Sequence, residues 1–71
     1  MTNSTVKLLQ QNIKKYRKQK NITQLRLSVM SGVSKDYITL IECGKRVPSI
    51  KTLILISEAL KIEPYKFFIE E

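Results

Sequence analysis

TQLRLSVMSGVSKDYITLIECGKRVPS, residues 23–49, sets out two short helices, a tight turn between them, a basic loop and a third helix start. Thr23, Ser34 and Ser49 are cap-type residues, each standing before a run with helical spacing; their hydroxyls can accept the free N–H groups of a first turn. Gly32 can adopt the left-handed backbone that ends a helix, a conformation that a Cβ resists. Val33 lies in the turn as its apolar plug, and Gly44 stops the second helix. Val47-Pro48 must be extended, because the residue before proline avoids the helical region.

The flanks continue the helical reading. Val6, Leu9, Ile13 and Tyr16 recur at three- and four-residue steps, which predicts a first helix from about Thr5 to Lys18, with Asn3 or Ser4 near its cap. Helices from Thr23 to about Met30 and from Lys35 to about Glu42 follow, with Leu27, Ile38 and Ile41 inward. Ser49 caps a fourth from Ile50 to Leu60, whose inner stripe is Leu53, Ile56 and Leu60. Pro64, at the preferred first position, opens a last short helix in which Phe67 and Phe68 close the core. The sequence shows no strand alternation, repeat or low-complexity linker. The expected fold is all-α, a compact five-helix bundle forming a single domain over residues 1–71.

Charge is unevenly placed along the 71 residues. Residues 1–35 carry eight Lys/Arg and no acid, while residues 36–71 carry five Lys/Arg against six Asp/Glu, within a net charge of +7. A basic half without acids suits a polyanionic partner. With one cysteine and no histidine, the chain has no internal disulfide and no Cys/His zinc site. No general base, carboxylate pair or cofactor motif stands out, so no catalytic residue, metal or cofactor is expected. No signal-peptide pattern or membrane-length apolar run is present, and a cytoplasmic location is the default expectation.

TQxxLS, SGVSxxYI and IExGKRxPS at this spacing resemble the Cro- and phage-repressor-like (Xre-type) helix-turn-helix family, over roughly Asn12 to Phe68. The resemblance implies a lambda-repressor-like DNA-binding fold in which helices 2 and 3 form the helix-turn-helix and helix 3, residues 35–42, enters the major groove. It assigns base reading to the exposed positions Lys35, Asp36, Tyr37, Thr39 and Leu40. Their chemistry suits this: Lys35 can donate to guanine, Asp36 can accept from cytosine, Thr39 can bond either kind of group, and Leu40 can meet a thymine methyl. Tyr37 can also reach a phosphate through its hydroxyl. Gln24, Ser34, Lys45 and Arg46 are the implied phosphate contacts, Gln24 at a helix start where free N–H groups favour anions. Arg17 and Glu42 match a pair that would tie helix 1 to helix 3 and fix the tilt of the recognition helix. Arg26 departs from the family, which usually has a glutamate there to complete a capping box. Cys43 also stands where a polar or basic residue is usual, and reads as an inert thiol.

The expected function is a sequence-specific transcriptional regulator on double-stranded DNA, a stand-alone DNA-binding domain of the kind seen in phage repressors and restriction–modification controllers. One recognition helix reads too few base pairs to select a genomic site, so a homodimer on a (pseudo)palindromic operator is expected. Ile54, Leu55, Tyr65 and Ile69 are the dimer candidates; Leu55 lies about 200° around its helix from Leu53, away from the core stripe. Neither a membrane nor a small-molecule ligand is expected as partner. The alternative is a protein-interaction module, such as an antitoxin or adaptor, for which Leu25 and Val29 offer apolar residues one turn apart on a face the family keeps polar.

Overall fold

The structure, a computed structural model, describes residues 3–70. Four α-helices follow one another: α1 Asn3–Gln19, α2 Gln24–Ser31, α3 Lys35–Glu42 and α4 Ile50–Leu60, with a 3-10 turn at Pro64–Phe68. The helix starts lie where the hydroxyl caps are. Thr23 accepts from the Arg26 N–H at 3.0 Å, Ser34 from Tyr37 at 3.1 Å and Ser49 from Thr52 at 3.1 Å. Each bond satisfies one of the donors that a first turn leaves without a helical partner. At the other end of α2, Gly32 sits at φ 79° and its N–H reaches Ser28 O at 2.9 Å. A side chain at that φ would strain the turn between α2 and α3.

One core lies between the helices. α1 supplies Leu9, Ile13 and Tyr16; α2 supplies Leu27, the turn Val33, and α3 Ile38 and Ile41. α4 adds Leu53, Ile56 and Leu60, and the 3-10 turn adds Phe67. α1 packs on the 3-10 turn and on α3, and α2 packs on α3 and α4. Phe67 meets the Tyr16 ring edge to face, with centroids 5.6 Å apart. No helix among the described residues is long and apolar enough to cross a membrane.

Three expectations need correction. The fifth element is a 3-10 turn, so the described residues hold four α-helices instead of five. Five residues starting at proline are too few for α-helical pairing to repay its nucleation. The backbone oxygens of Phe67 and Ile69 instead accept from the buried Asn12 amide at 2.9 and 3.0 Å. Phe68 does not close the core; it is 39% exposed while Phe67 is fully buried. Leu55 does not point away from the core either, but is half-buried and packed against it. α4 is contacted by α1, α2 and the 3-10 turn, so more of its circumference is covered than one stripe.

Candidate nucleic-acid interface

α3 is amphipathic across its short length. Ile38 and Ile41 are buried, and the outer face carries Lys35 and Asp36 exposed in the first turn, with Thr39 and Leu40 half-buried; Tyr37, one turn before Ile41, is half-buried against the edge of the core. Ser34 stands exposed just before them; its oxygen is used by the cap. Its hydroxyl proton is not spent on that bond, so it can still donate to an anion.

Behind this face a polar network joins three helices. Arg17 on α1 donates through Nε to Glu42 Oε2 at 2.8 Å and through Nη2 to Glu42 Oε1 at 2.9 Å, the two-point arrangement. Its Nη1 reaches Ile22 O at 2.6 Å. The side chains are 9% and 2% exposed, so the pair is shielded from solvent. The Gln24 amide, at the start of α2, donates to Glu42 Oε1 at 3.0 Å, and its oxygen accepts from the Thr39 hydroxyl at 2.9 Å. Gln24 and Thr39 therefore face each other as well as the outer surface. Of Gln24's two amide hydrogens, one is committed to Glu42 and the other is left to reach outward.

The basic loop is held just as firmly. The N–H groups of Lys45 and Arg46 both donate to Leu40 O, at 2.8 and 3.2 Å, and the buried Gln10 donates to Arg46 O at 2.8 Å. Arg46 lies over the Tyr37 ring, 5.3 Å from its centroid, a cation–π contact. The Tyr37 hydroxyl accepts from Ser49 N–H at 3.3 Å. That side chain is thus turned from the first turn of α3 toward the loop and the start of α4, where it carries Arg46. Lys35, Lys45 and Arg46 are exposed, and Cys43, next in the chain after Glu42, is an exposed, free thiol.

The spacing of α1 predicts that the Lys and Gln residues between its apolar steps face outward, and Gln10 departs from this; Asn12 carries no expected role. The available signal was position: both are polar residues beside the Leu9–Ile13 stripe of α1 and are 5% and 3% exposed. Buried amides of this kind are kept by hydrogen bonds, here to the backbone of the basic loop and of the 3-10 turn.

Both the sequence and the fold have matches among known proteins. Residues 13–67 match the family model described as helix-turn-helix. The chain belongs to this family. It is 40% identical over 55 residues to an uncharacterized HTH-type transcriptional regulator, YqaE of Bacillus subtilis, covering 78% of this chain and 47% of that protein. It thus spans about half the length of YqaE. It is 34% identical over 53 residues to the control protein C.SmaI of Serratia marcescens, covering 75% of this chain and 63% of that one. The crystal structure of the restriction-modification controller protein C.AhdI from Aeromonas hydrophila superposes with a TM-score of 0.85 at 28% identity, over 92% of this chain and 98% of that chain.

Proposed function

We propose that this helix-turn-helix chain is a sequence-specific transcriptional regulator that binds double-stranded DNA with α3 in the major groove. The observation that carries it is the exposed polar first turn of α3, Lys35 and Asp36, on a helix held by the Arg17–Glu42 pair and followed by the braced loop Lys45–Arg46. Likeness to transcriptional regulators and to restriction–modification controllers supports the same reading. Lys35, Asp36 and Leu40 meet base edges, with Thr39 beside them. Gln24, Ser34, Lys45 and Arg46 hold phosphates, and Tyr37 contributes mainly as the platform for Arg46. Catalysis has no part in the proposal, and a cytoplasmic location fits it.

The test separates the two kinds of contact. Lys35→Ala is expected to relax preference at one base pair, at a cost of about 1–3 kcal/mol in specific binding, with the fold intact. Lys45→Ala and Arg46→Ala are expected to weaken all duplexes alike and to lower the salt slope by about one unit each. Fluorescence titrations on specific and random duplexes at several salt concentrations check both. Loss confined to the specific site for the loop variants would reverse the assignment.

Binding as a homodimer to half-sites about one DNA turn apart, roughly 34 Å, completes the reading. Ile54 is 42% exposed and lines a shallow hollow with Pro64; Tyr65, next to that proline, is 59% exposed. Ile69, 41% exposed, lies beyond the turn that Asn12 holds. These residues can form a self-complementary contact between two copies. Ile54→Glu is expected to leave the fold intact and to give a monomer on sedimentation at micromolar concentration, where the parent sediments as a dimer. Leu55→Glu is expected to lower the melting temperature as well, because Leu55 packs on the core.

A second reading has one observation in its favour. Leu25 and Val29 on α2 are 60% and 69% exposed, a turn apart, and suit an apolar contact with another protein. Binding to that partner would survive salt that dissociates DNA.

A further inference from the structure

We infer that Thr39 selects a base bearing an amino group, adenine or cytosine, because hydrogen bonds inside the protein use its only hydroxyl proton. The inference rests on the DNA-binding reading above and deepens it.

The argument starts at Arg17, whose guanidinium has donors and no acceptor. It faces Glu42, whose carboxylate oxygens take Nε at 2.8 Å and Nη2 at 2.9 Å. Gln24 approaches Glu42 Oε1 at 3.0 Å. A carboxylate oxygen held by a guanidinium accepts only, so Gln24 must turn its NH₂ toward it. The flipped amide would set two acceptor oxygens against each other. The Gln24 oxygen is thereby fixed on the other side, 2.9 Å from Thr39 Oγ1. Two oxygens at that distance need a proton between them, and only the hydroxyl has one. The alternative acceptor within reach is Lys35 O at 3.0 Å, the preceding turn's carbonyl. Either way the proton points into the protein.

All that the Thr39 hydroxyl can still offer a base is therefore a lone pair. Thr39 lies one turn beyond Lys35 and about 40° around α3, on the reading side, and it is half-buried rather than covered. In the major groove, adenine N6 and cytosine N4 carry donors, whereas guanine O6 and N7 and thymine O4 are acceptors. A lone pair accepts from the first set and repels the second. A threonine free to rotate would read both. The restriction is imposed from Arg17 on α1, through Glu42 and Gln24, none of which has to touch the base.

The experiment is selection of binding sites from random duplexes by the full chain and by Thr39→Val and Thr39→Ser. The parent is expected to show one base pair at which Thr39→Val loses about tenfold in preference while Thr39→Ser retains it, with Thr39 accepting from that pair's adenine or cytosine. A second measurement leaves the protein unaltered. Removing the exocyclic amino group from that base in the selected duplex is expected to weaken the parent about tenfold. The same change is expected to leave Thr39→Val unaffected. The inference is overturned if Thr39→Val selects the same motif with the same preference, or if removing that amino group weakens the parent and Thr39→Val alike. A parent that selects no motif overturns the DNA-binding reading itself, which keeps the two failures distinct.

Discussion

Glu42→Ala is expected to cost about 3–5 kcal/mol of folding stability. The change removes the carboxylate that takes two bonds from Arg17 and one from Gln24. Arg17, with its side chain 9% exposed, would keep only the Ile22 carbonyl, an uncompensated charge in a site that water barely reaches. The effect is large because one partner is removed, not because the pair is a strong net stabiliser: an intact buried pair roughly offsets its own desolvation. In a domain of this size each kcal/mol lowers the melting temperature by about 4–8 °C, so a calorimetric scan would show the loss plainly. A melt within error of the parent would mean that Arg17 finds water or another acceptor as soon as Glu42 is gone.

Phe67→Ala is expected to cost about 3–5 kcal/mol, and Phe68→Ala less than about 1 kcal/mol. The two residues are neighbours of identical chemistry, but Phe67 is fully buried against Tyr16 and Phe68 is 39% exposed. Truncating Phe67 leaves a cavity under the 3-10 turn, bounded by α1 and α4, that the packed helices cannot collapse to fill. Chemical denaturation of the pair checks this, and equal midpoints would contradict the packing described for the turn.

Much of this architecture was legible because the sequence marks helix ends in local chemistry. The hydroxyls of Thr23, Ser34 and Ser49 and the glycine at 32 act within three or four residues, so reading them needs no knowledge of the fold. The choice between Phe67 and Phe68 needed such knowledge. Which ring turns inward depends on the geometry of the turn, set by Pro64 and by Asn12 more than fifty residues away. Leu55 was misread for a related reason: a helical wheel knows one buried stripe, whereas α4 is covered from three directions. At the interface, residue types pointed to the surface but not to its internal bonds. Thr39 and Gln24 look like two independent contacts in sequence, and the fold makes them one unit with Glu42. Tyr37 looks like a reader by residue type, and nothing local shows that its ring also lies under Arg46.

The central claim, that the polar end of α3 reads duplex sequence while the basic loop holds phosphates, is tested most directly by one titration. Binding to a duplex selected by the chain is compared with binding to a random duplex of equal length, from about 50 to 200 mM salt. The expected result is that both affinities fall linearly on a log–log plot, with a slope near −0.9 per phosphate contacted. The selected duplex is expected to stay at least about a thousandfold tighter throughout. Equal affinity for the two duplexes, or binding that salt does not weaken, would contradict it.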